Sequence, residues 1–212
     1  MKGGISVSSL STDEHRYAIN PRYTEAPLRA SSKTLRAAGV WTGRQQTELR
    51  VREFDFVADQ PESRGGRDQG PSPMEYVVGG VNSCISVVID QLAERRGLPV
   101  TGISTYTLAR QDTRGLAGES DVQPYFYVYL LQVVVETTQR EEGFLRDFAE
   151  EAERICPAVN LLRDAHIDLE VAWSFVPTLA QNHAEILANR AWGYEEKEGS
   201  VSDETSSEGV TL

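Results

Sequence analysis

GPSPMEYVVGGVNSCISVVIDQLAERRG, from Gly70 to Gly97, is the stretch whose reading decides the fold. Gly70-Pro71-Ser72-Pro73 is a turn signal. Ser72 can cap a helix, and Pro73 suits a first turn, where a missing N–H costs nothing. Gly97 suits the stop. Arg95 and Arg96 put two cations at the negative end of the helix dipole. Between the ends, Val77, Val78, Val81, Ile85, Val87, Val88, Ile89 and Leu92 cover most of the circumference. A helix that is apolar nearly all round is expected to be buried. At about 1.5 Å per residue it would cross a small domain. Asn82, Ser83, Ser86 and Asp90 interrupt the apolar runs, which fall short of the roughly 20 residues of a membrane span.

A single thiol, Cys84, lies in the middle of this helix. A lone Cys on a buried helix is most often a small hydrophobe. The chain has one other cysteine, Cys156, in AERICPAVNLL, where it closes a second amphipathic helix ahead of Pro157. Inert burial and a redox pair are both open on the residues alone.

Composition narrows the classes. With 212 residues, the chain is one domain or a domain with tails, and is long enough to bury a core. A net charge of −11 argues against nucleic acid or an anionic membrane as partner. Met1 to Leu10 has no apolar leader pattern, so a reducing cytoplasmic setting is expected, where structural disulfides are rare. The two cysteines and His15, His166 and His183 show no close metal-ligand spacing. No metal or other cofactor is expected.

Taken in order, residues 1–33 read as an extended polar arm broken by Pro21 and Pro27. Thr34 to Thr42 reads as a strand, Gly43 to Gln46 as a turn, and Thr47 to Val57 as a second strand. The parity of Phe54 and Phe56 opposes that of Leu49 and Val51. A bulge near Arg52-Glu53 or a slip in register would reconcile them. Asp59 to Ser72 is a polar, glycine-rich loop, expected over the first half of the central helix. Val100 to Arg110 and Tyr125 to Thr137 read as strands, the second central in its sheet. Thr138 to Glu141 has the pattern of a capping box. Phe144, Leu145, Phe148, Ala152 and Ile155 mark one face of the helix that follows, with Cys156 at its inner end. A short helix over Pro157 to Arg163 leads to an alternating strand from Ile167 to Phe175. Residues 177–194 suit one more helix, and 195–212 read as a disordered acidic tail.

The Gly-x-x-Pro-x-Glu helix start, the mid-helix Cys84 and the distant Cys156-Pro157 together resemble the OsmC/Ohr family of thiol peroxidases. The resemblance covers roughly Thr34 to Val176. It implies an α+β fold, with antiparallel sheets wrapped around two long central helices in an intertwined homodimer. It also implies a thiol peroxidase acting on organic, lipid-like hydroperoxides. Cys84 would become a sulfenic acid, Cys156 would close a disulfide with it, and a dithiol or thiol-protein reductant would restore both.

A bare thiol has a pKa of about 8.5, and apolar burial raises it, so Cys84 would need a cationic neighbour. In the family an arginine after a Gly in the first β-turn serves, held by a carboxylate of the Cys helix. Gly43-Arg44 matches that place, with Arg67 of the loop as second choice. An ordinary turn arginine is the rival reading of Arg44. In the hydroperoxide reductase branch the acid directly follows the helix-starting proline. Here that residue is Met74, and Glu75 comes one place later, about 100° around the helix. Glu75 is equally suited to a first-turn acid at the helix dipole. The Pro-Met-Glu form is similar to the broader OsmC-like branches. The competing expectation is a redox-inert protein of the same fold that binds a small apolar ligand or a structural partner.

Overall fold

A computed structural model describes residues 31–119 and 121–177, together with the backbone of Val210–Thr211. It is a mixed α+β structure with two sheets. β1 (Ala38–Gly43), β2 (Gln46–Val51) and β3 (Phe54–Ala58) form an antiparallel meander. β4 (Val100–Gln111), β5 (Phe126–Thr137), β6 (Asp168–Val176) and β7 (Val210–Thr211) form the second sheet in that order. β4 and β5 are antiparallel, and β5 and β6 are parallel. A parallel pair needs a crossover. Helices α2 (Glu142–Ile155) and α3 (Pro157–Asp164) supply it.

The central helix α1 spans Pro73–Arg96 and ends at Gly97, which is left-handed with φ 65°. Its buried residues Val81, Ile85, Val88, Ile89, Leu92 and Ala93 form one face. They share a core with Leu131, Val133 and Val135 of β5, Leu145, Phe148 and Ala152 of α2, and Trp173 and Phe175 of β6. Each large apolar side chain so buried contributes on the order of 1.5–3 kcal/mol relative to exposure.

Five expectations need correction. The helix is not buried all round within one chain. Val77 and Val87 are 44% and 52% exposed. A Cβ added at Gly79 or Gly80 would meet nothing within 4 Å. By length and composition α1 does reach the membrane-span range. Its buried face shows it as the core helix of this fold.

The second strand is not one bulged strand. It is a hairpin, with Val51 opposite Phe54. Arg52 takes the left-handed conformation at φ 57°. The parity change at Phe54 and Phe56 is therefore chain reversal. The first strand begins at Ala38, not Thr34.

The capping box at Thr138 to Glu141 does not form either. Gln139 Oε1 accepts from the amides of Arg140 and Glu141, and Thr137 Oγ1 accepts from Gln139 N. Those bonds delay the start of α2 to Glu142.

The arm over 1–33 and the expected helix over 177–194 lie almost wholly outside the described residues. So does the tail over 195–212, except Val210–Thr211, which pair with Ser174 and Phe175 of β6.

The β1–β3 sheet touches the rest of the chain mainly through its exit. Phe56 and Tyr76 rings lie 5.3 Å apart, and the Tyr76 hydroxyl donates to the Val57 carbonyl at 2.7 Å. Val40 and Trp41 on β1 stay 64% and 72% exposed.

Candidate functional site

Cys84 lies at mid-length on α1, partly exposed, at the border between the buried face and the open Gly80-Val87 side. Cys156 is fully buried where α2 stops and α3 begins. Pro157 forces the break, because it cannot donate into the preceding helix and fits the first turn of the next. The crossover carries Cys156 under α1. Its thiol donates to Cys84 Sγ at 3.7 Å, across 72 residues of sequence. Both thiols are free.

Burial is the main reason that the Cys156 thiol is pushed up to about 11. The amide of Val159 at the start of α3 pulls it down, and the neighbouring Cys84 sulfur adds to the rise. Near neutral pH Cys156 is thus a protonated thiol sealed from solvent, and Cys84 is the sulfur that solvent reaches.

The other candidates are placed as follows. Arg44 is exposed in the β1–β2 turn. Arg44 and Gln45 are both left-handed, at φ 49° and 67°, as a tight two-residue hairpin turn demands. Among the described residues no hydrogen bond or ion pair joins Cys84 to Arg44 or Arg67. Arg67 donates instead to Gln46 Oε1 at 3.0 Å. Glu75 is exposed and accepts from the Ser72 amide at 2.6 Å, the work of a first-turn acid. Met74 and Glu75 also line a cavity of about 450 Å³ between the first half of α1 and β4, with Val78, Asn82, Thr107 and Phe126. Arg64 of the loop reaches its rim. Cys84 does not line this cavity.

Two features escaped the sequence reading. Asp59 is fully buried, and its carboxylate accepts from the amides of Gln60, Arg67 and Gln69 and from Gln46 Nε2. Burial pushes that carboxyl up, but the four bonds outweigh it and hold it below its usual value. Asp59 therefore fixes the loop that carries Arg64 and Arg67. The second feature is Asn160. Its carboxamide faces the carbonyl oxygens of Cys156 at 2.8 Å, Arg154 at 3.0 Å and Glu153 at 3.1 Å. A polar residue four places after a cysteine on a short helix gives no such signal in sequence.

Comparison with known proteins bears on this arrangement. No curated protein matches in sequence. An OsmC-like protein from Mycoplasma pneumoniae superposes with a TM-score of 0.57 at 15% identity, covering 66% of this chain and 97% of that one. A Psychrobacter arcticus protein named for osmotic stress induction and detoxification gives 0.53 at 13% identity, over 66% and 96%. An Aquifex aeolicus protein gives 0.53 at 12%, over 68% and 97%. These likenesses show the fold. The profile of the OsmC-like protein family matches residues 66–172, which hold both cysteines and all of α1 to α3. The chain belongs to the OsmC family.

Proposed function

We propose that this chain is a cysteine-dependent peroxidase that reduces organic hydroperoxides to alcohols. The observation that carries the reading is the meeting of Cys84 and Cys156 at 3.7 Å, one partly exposed and one sealed beneath it. Cys84 thiolate attacks the distal oxygen of the hydroperoxide, the O–O bond breaks, and the alcohol leaves with a proton. Cys84 is then a sulfenic acid. The Cys156 thiol displaces its oxygen as water and forms a disulfide. An external dithiol reduces the disulfide by exchange and is itself oxidised. The valine-lined side of α1 around Cys84 suits a greasy peroxide better than hydrogen peroxide.

The test is a thiol count. Equimolar cumene hydroperoxide added to reduced protein is expected to remove both thiols within the mixing time, and none in Cys84→Ser. A loss no faster than that of a small free thiol would reject the reading.

We also propose that the working form is a homodimer. Among the described residues, Val77, Gly80 and Val87 form an unpartnered apolar side of α1, and Val40 and Trp41 are open on the β1–β3 sheet. A second copy supplies matching surface for both. It also supplies the cation, since Arg44 has no hydrogen-bonding or ion-pair partner among the described residues. In the proposed dimer the partner subunit's Arg44 would serve as the cation for Cys84. Guanidinium suits that place because it stays charged when desolvated. Val87→Glu is expected to sediment as a monomer and to lose most of its reactivity with hydroperoxide. A monomeric wild type would refute the dimer.

One observation favours a second reading. The 450 Å³ cavity is within the size range of small-molecule sites and excludes Cys84. A redox-inert binder of a small amphipathic ligand would use that cavity, and the thiol count separates it from the peroxidase.

A further inference from the structure

The corner that carries Cys156 is held from both sides by side chains that touch neither sulfur. On one side, Glu153 in the last turn of α2 accepts from Trp173 Nε1 of β6 at 2.8 Å. The same carboxylate pairs with Arg163 of α3. On the other side is Asn160. The last carbonyls of a helix have no partner within it. Asn160 directs its two carboxamide hydrogens at three oxygens around the bend, those of Glu153 and Arg154 in the last turn of α2 and that of Cys156. The backbone around Cys156 is thereby closed on both strokes of the bend. Cys156 N donates back to Ala152 O at 3.0 Å, and Cys156 O accepts from Asn160 N at 3.1 Å. Little freedom is left to the residue that bears the buried thiol.

We infer that Asn160 is a positioning residue for the thiol pair, and that its carboxamide holds the Cys156 sulfur within closing distance of Cys84. The sulfurs must approach from 3.7 Å to a bond of about 2.05 Å. A short approach from a fixed backbone raises the effective concentration of one thiol at the other. The carboxamide is suited to the task because all its polar contacts here are donations. An isosteric carboxylate at the same place would face three carbonyl oxygens with no hydrogen to give. The inference deepens the peroxidase reading, because the second step of that cycle is the closure concerned. It can be tested without that reading.

The test is the equilibrium of the full-length protein with glutathione. Oxidation of Cys84 and Cys156 thiols to the disulfide by one glutathione disulfide releases two glutathione thiols, so the balance is fixed and no peroxide enters. Asn160→Asp and Asn160→Ala are expected to shift the equilibrium toward the dithiol by about tenfold. Alkylation of Cys84 by iodoacetamide in the reduced protein is expected to stay as in wild type. Asn160→Gln keeps the N–H groups and is expected to recover part of the shift. It also serves as the readable variant should Asn160→Ala fail to fold. A shift under threefold in folded Asn160→Asp, or an equal change in Cys84 alkylation, overturns the inference. A protein that fails to reduce hydroperoxides yet shows the glutathione shift would refute the peroxidase and leave the positioning role standing.

Discussion

Cys156→Ser is expected to consume one equivalent of organic hydroperoxide and then stop. The variant keeps Cys84, so the first oxygen transfer proceeds and a sulfenic acid forms. The serine hydroxyl cannot displace the oxygen from sulfur, so no disulfide follows. Intact-mass analysis is expected to show one added oxygen, and dimedone to trap it. Dithiol-dependent turnover is expected to fall on the order of 10³-fold, because the intramolecular partner is lost. The split follows from the proposed pairing, because Cys156 is fully buried and lies 3.7 Å from Cys84. Full turnover in Cys156→Ser would show that the buried thiol is a bystander.

The closing step is expected to accelerate about tenfold per pH unit from pH 7 to about pH 10. The thiolate is the nucleophile, and burial pushes Cys156 up to about 11, so its thiolate fraction grows in proportion to hydroxide over that range. Burial is the largest cause of the rise. Stopped-flow decay of the sulfenic acid in wild type against pH measures the slope. A flat profile would mean that Cys156 is not the attacking group. The same shift has a sign for stability. The folded value lies above that of a bare thiol, so the neutral buried thiol favours the fold below that ordinary value. That contribution is lost as pH rises through about 11.

The parts of this fold that were legible in sequence are those whose instructions are local. Both ends of α1 carry their own chemistry: Ser72 and Pro73 at the start, Arg96 and Gly97 at the stop. The alternation of Leu169, Val171, Trp173 and Phe175 fixes the face of β6. The pairing of Cys84 with Cys156 was legible only through resemblance, because spacing over 72 residues carries no geometry. What stayed hidden is non-local or unmarked. The Arg52-Glu53 hairpin lacks the Gly or Asn that usually signals left-handed backbone. Asp59 is completed by Gln46, 13 residues upstream. Thr138 to Glu141 has the letters of a capping box, but Gln139 takes the amides first. Asn160 looks like solvent-facing helix until three carbonyls are found around it. Arg44 was placed in its turn, but among the described residues no hydrogen bond or ion pair joins it to Cys84.

The parallel pairing of β5 with β6 gives the thiol pair a mechanical meaning. Since the crossover bears Cys156, the segment from Cys84 to Cys156 contains the second half of α1, all of β4 and β5, and all of α2. Closing the bond would draw a covalent lasso around the two longest strands and leave the β1–β3 meander outside the ring. A ring of that size removes roughly 4 kcal/mol of freedom from the unfolded chain. Oxidant would therefore tighten the enclosed half of the molecule and spare the half that lies beyond the noose.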